Sequence, residues 1–157
     1  MSIDNWIGTC RETIWDALHA EAEWRRLARG ATEHRFTGEG LLARVITKPA
    51  ECPVVAIGPA AATLPAVEEQ LKDDEDCRTA CQLVTKGADA TRCERLLLAF
   101  RLAITNHWDT FKTLRTSRLV RIRFENVEFS MIPDDKAMPQ MWSCEFDLVF
   151  LFEPATT

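Results

Sequence analysis

The stretch WSCEFDLVFLF, residues 142–152, decides how the rest of the chain is read. Trp142, Cys144, Phe146, Leu148, Phe150 and Phe152 take every second position, and Ser143, Glu145 and Asp147 fill the first gaps between them. Successive side chains of a strand point to opposite faces, so this spacing predicts a strand with one face in the core. Val149 and Leu151 then place apolar residues on the second face too. A monomer seldom exposes a strand that is apolar on both sides. One face or the edge of this strand is therefore expected to meet a second subunit, with Met141, Val149 and Leu151 as contact candidates.

The strand before it carries a change of phase. Val120, Ile122 and Phe124 alternate with Arg121, Arg123 and Glu125, but past Asn126 the apolar set becomes Val127, Phe129 and Met131. A one-residue shift sends every later side chain to the other face. The pattern predicts a bulge near Asn126 or a strand that crosses between two environments. Pro133-Asp134-Asp135-Lys136 reads as a turn-like loop. The short connection predicts that the two strands pair antiparallel.

Two helices precede and interrupt the strands. Over residues 4–29, Ile7, Cys10, Ile14, Leu18 and Ala22 recur at helical spacing, widened by Trp6, Trp15 and Trp24. Asp4 is placed to cap the start, Arg25, Arg26 and Arg29 suit the negative end of the helix dipole, and Gly30 suits a left-handed stop. Over residues 91–113, Cys93, Leu97, Phe100, Ile104, Trp108 and Phe111 form a second stripe, broadened by Leu96, Leu98 and Leu102. Thr91 and Glu94 have the spacing of a capping box.

Between the helices, residues 34–58 read as extended chain with turns, and Val54-Val55-Ala56-Ile57 as a strand buried on both faces. Residues 59–76 read as a long surface loop. It holds Glu68 and Glu69 and ends in Asp73-Asp74-Glu75-Asp76. Those acids lack the spaced pattern of an EF-hand, so a solvated loop is the better reading. Residues 77–86 alternate as a strand ended by Gly87. The predicted architecture is one α+β (mixed α/β) domain over residues 1–157. A mostly antiparallel sheet of four to five strands packs against two main helices.

Composition narrows function. The chain is 46% hydrophobic and 27% charged, with a formal net charge of −5. That balance and the scattered basic residues argue against sequence-specific nucleic-acid binding. No run is long enough for a transmembrane helix, and MSIDNWIGTC has no signal-peptide pattern, so a soluble protein with no membrane partner is expected. Cys10, Cys52, Cys77, Cys81, Cys93 and Cys144 sit within apolar patterns and read as reduced, buried thiols. His19, His34 and His107 share no ligand spacing with them or with one another, so no metal or other cofactor is expected. No phosphate-binding, dinucleotide, nucleophile-elbow or zinc-protease motif is present. No catalytic residue is assigned, and the chain is expected not to be an enzyme.

The order of elements resembles that of phage tail terminator proteins and of related tail-completion and neck proteins. The elements carrying the resemblance are the long first helix, the short strand entered through Pro53, the acidic middle loop, the helix over 91–113 and the paired final strands. The resemblance implies a hexameric ring that ends tail-tube growth and presents a surface to the head connector. The virion tail or neck, assembled in the host cytoplasm, would be its place. It further implies that tail-tube and head-connector proteins are partners. The interface candidates are Glu68, Glu69, Asp73, Asp74, Glu75 and Asp76, then Asp134, Asp135 and Lys136, and Met141, Val149 and Leu151. A head–tail connector or stopper protein, or a cellular α/β ligand-binding domain or small enzyme, are the alternatives.

Overall fold

The computed structural model describes residues 5–35, 52–58, 75–115, 118–132 and 141–153. The chain is α+β. Five strands form one sheet in the order β1-β2-β3-β5-β4, from β1 (Thr32–Arg35), β2 (Val54–Ile57), β3 (Glu75–Lys86), β4 (Leu119–Ile132) and β5 (Met141–Phe152). β1 runs parallel to β2, and every other neighbouring pair is antiparallel. β5 lies inside the sheet between β3 and β4, so the last strand is not an edge. Among the described residues the edges are β1 and β4.

The helices are α1 (Asn5–Ala20), α2 (Ala22–Leu27), α3 (Thr91–Asn106) and α4 (Trp108–Phe111). The expected helix over 4–29 is broken at Glu21, whose extended backbone (φ −88°, ψ 121°) rotates the phase of α2 against that of α1. Ala22 is exposed as a result and Trp24 is buried, its ring meeting Phe100 edge-on at 5.7 Å. Gly30 has φ +72°, the left-handed stop expected of it. Asp4 lies outside the described residues.

The expected helix over 91–113 also breaks, at His107, whose N–H donates to the Ile104 carbonyl. The break lets α4 set Phe111 against Phe150, with ring centroids 4.9 Å apart. The capping box does not form. Asp89 Oδ1 instead accepts the Thr91 N–H at 3.0 Å, so the cap is supplied from just before the helix. Leu96 and Leu97 are buried, but Leu98 and Leu102 stay exposed and do not broaden the core stripe.

One large core lies between the helices and one sheet face. Ile14, Leu18, Trp24, Phe100, Ile104 and Phe111 meet Val55, Ile57, Leu83, Phe146, Leu148 and Phe150 there. Phe100 is its centre, edge-on to Trp24, Phe124 and Phe146. On the opposite face Val54, Val84 and Met141 form a smaller cluster joined by Cys52 and Ile132. All four residues of β2 are buried, as the continuous apolar run predicts.

The phase change in β4 is a bulge. The ladder with β5 skips between Glu125 and Glu128, and Asn126 takes φ 55°. The extra residue returns Phe129 to the face already held by Ile122 and Phe124, so all three pack on the main core.

Candidate functional site

Thiols and imidazoles are the side chains of this protein best suited to react near neutral pH. Cys93 Sγ donates to the Leu83 carbonyl at 3.6 Å, and Cys81 Sγ to the Thr79 carbonyl at 3.8 Å. Burial pushes the Cys81 thiol well up. The contact between Cys144 and Cys93, with burial added, pushes the Cys144 thiol up too. The same contact with Cys144 moves the Cys93 thiol the other way, below its ordinary value, whereas the Cys81 and Cys144 thiols stay protonated and act as small apolar groups. His19 Nε2 pairs with Glu33 at 2.5 Å, and His107 Nδ1 meets the Ala103 carbonyl at 2.8 Å. Among the described residues no three His, Cys, Asp or Glu side chains converge as metal ligands.

Polar groups do gather on the sheet face away from the helices. Arg78 on β3 reaches Glu125 on β4 at 3.2 Å and Asp147 on β5 at 3.4 Å. Asn126 Nδ2 donates to the same Asp147 at 2.9 Å, and Gln82 donates to Ser143 at 3.0 Å. Each of these charges has an opposite partner across the ladder, so the arrangement holds three strands in register. Cross-strand pairing of this sort gives no acid or base poised for a substrate.

The structure separates the interface residues expected from sequence. Glu68, Glu69, Asp73, Asp74, Asp134, Asp135 and Lys136 lie outside the described residues. Glu75 and Asp76, expected in a loop, begin β3 opposite Phe152 and Leu151. Met141 is buried in the smaller cluster, and Val149 is 0% exposed within the single chain. Both side chains are buried within the single chain, and the backbone edges of β5 are taken up by β3 and β4. Leu151 is half-buried. The exposed apolar strand surface is on β4 instead, at Val120, Val127 and Met131. Alternation alone could not show this, since it does not tell which strand becomes the edge.

A second surface, without any motif in the sequence, lies over the helices. A cavity of about 340 Å³ opens between α2, the start of α3 and the ends of β2 and β3. Arg26, Lys86, Arg92 and Arg95 line it, over Leu27, Pro53 and Leu96. Arg92 Nη1 donates to the Lys86 carbonyl at 3.3 Å, and Arg26 also pairs with Glu23. The Thr85 hydroxyl borders the cavity, is 5% exposed as a residue and finds no nitrogen or oxygen partner. Arg26, Leu27 and Arg95 are shared with an adjoining groove of about 320 Å³ that continues over Leu98 and Leu102.

No family model matches the sequence, and no curated protein matches it. Among solved structures, a chain from the virion of a native gene transfer agent particle shares the fold. The TM-score is 0.51 at 15% identity, over 89% of this chain and 91% of that one. The likeness therefore spans both chains almost end to end.

Proposed function

We propose that this chain is a non-enzymatic structural protein of a phage-like tail. It forms a ring that caps the tail tube and joins it to the head connector, as a tail terminator does. The observation that carries the reading is the fold likeness to a gene transfer agent virion chain across nearly the full length of both. Two features support it. Cys93, His19 and His107 are tied into packing and local pairs, and among the described residues no His, Cys, Asp or Glu cluster could hold a metal. The edge strand β4 keeps apolar side chains exposed, as a surface that adds a neighbour does.

A closed ring of one chain needs two different, complementary patches on each subunit. The exposed face of β4 and the acidic residues 68–76 are proposed contacts, together with the 133–141 loop. The test is oligomeric mass by mass photometry, with negative-stain images of the same sample and of purified tail tubes mixed with it. A six-fold ring seated on tube ends is the expected result. A strict monomer that leaves tube length unchanged refutes the reading. A ring that binds connectors but never tube ends moves the chain to the stopper position.

A further inference from the structure

We propose that the basic cavity and apolar groove between α2 and α3 seat a second copy of this chain, which inserts the acidic segment of residues 67–74. The inference rests on the ring reading and names the patch that reading leaves open. Leu98 is 62% exposed and Leu102 43%, four residues apart on one face of α3. Large apolar side chains in that pattern form a stripe that the described residues leave exposed. The stripe runs directly into the cavity through Leu27 and Arg95, so apolar floor and cationic end are continuous.

The charge there opposes that of the whole chain. Lys86, Arg92 and Arg95 gather around one opening with Arg26, which Glu23 of the adjoining groove already pairs, in a protein of net charge −5. Asp89 lies close enough to Arg92 and Arg95 to feel both charges, yet its carboxylate is committed to the α3 cap. An occupant must therefore bring carboxylates beside apolar side chains. Residues 67–74 read VEEQLKDD, with Val67 and Leu71 four apart among Glu68, Glu69, Asp73 and Asp74. Duplex DNA fits less well, because it needs an extended basic track and offers nothing to the leucines.

The test measures assembly mass of wild type, Arg92→Glu/Arg95→Glu, Asp73→Lys/Asp74→Lys and the combined charge swap. Circular dichroism checks that each is folded. Each single reversal is expected to weaken assembly about tenfold or more, and the combined swap to recover most of it. Leu98→Ser/Leu102→Ser provides a second lesion that leaves the arginines intact. A labelled peptide of residues 65–74 tests the groove without a ring, by fluorescence anisotropy. Saturable binding lost in Arg92→Glu/Arg95→Glu supports the inference even if the wild-type chain is monomeric and the ring reading fails. Wild-type assembly by the arginine variant, no peptide binding, or displacement of the peptide by a short DNA duplex would each overturn it.

Discussion

Replacing Asn126 separates two contributions to the β4 bulge that the structure shows together. Its backbone is left-handed at φ 55°, and its side chain donates to Asp147 at 2.9 Å. For a residue with a Cβ, the left-handed conformation costs on the order of 1 kcal/mol, less for Asn than for Ala. The hydrogen bond reaches a carboxylate but sits at an exposed position, so about 0.5–1 kcal/mol is reasonable. Asn126→Ala loses the bond and adds the strain that Asn does not already carry, and should destabilise by about 1–1.5 kcal/mol. Asn126→Gly loses the same bond but adopts φ 55° freely, offset by about 0.5–1 kcal/mol of extra unfolded-state freedom. Its expected loss is about 1 kcal/mol. The gap is the alanine strain less the extra glycine freedom, up to about 0.5 kcal/mol, or roughly 1–2 °C in Tm for a chain of this size. Urea unfolding followed by tryptophan fluorescence measures both variants on one scale. If glycine costs more than alanine, the backbone conformation is not the source of the effect. If neither moves the midpoint, the bulge is held by its neighbours and the reasoning fails.

Two further predictions concern the core and the α3 cap. Phe100 is fully buried and edge-on to three aromatic rings, so Phe100→Ala should lose about 3–5 kcal/mol in urea unfolding, and a loss below about 1 kcal/mol would contradict its central place. Asp89→Ala should lower Tm more than Thr91→Ala or Glu94→Ala, because Asp89 makes the cap bond. The Thr91 N–H holds the Asp89 carboxyl below its ordinary value. A lowered folded pKa means its stabilisation is complete above the unfolded pKa and disappears as pH falls through the folded one. The Tm difference between wild type and Asp89→Ala should therefore be full at pH 7 and close in acid, and a pH-independent difference would count against the assignment.

Much of the candidate interface depends on pairings that lie far apart along the chain. Alternation identifies β5 as a strand and Asn126 as the place where β4 changes phase, because both are local periodicities. It also assigns Val149 to the face opposite the main core. That Val149 is nevertheless fully buried, and that β5 lies between β3 and β4, no local pattern states. The same holds for Leu98 and Leu102. Helical spacing puts them near the core stripe, but the position of the sheet decides which side of α3 is closed.

The sequence by itself determined that helices and strands mix, the left-handed stop at Gly30, the doubly buried β2 and the phase change at Asn126, since each arises from side-chain period or backbone sterics within a few residues. Only the tertiary structure decided that the helices break at Glu21 and His107. The gain is that Trp24 and Phe111 reach the core, and burying those rings outweighs keeping one helical phase. Tertiary structure likewise decided that Asp89 caps α3, that β4 is the edge, and that four cations from α2, α3 and β3 surround one cavity. Those residues are separated by up to 69 positions between Arg26 and Arg95, and nothing shorter than the folded chain brings their charges together.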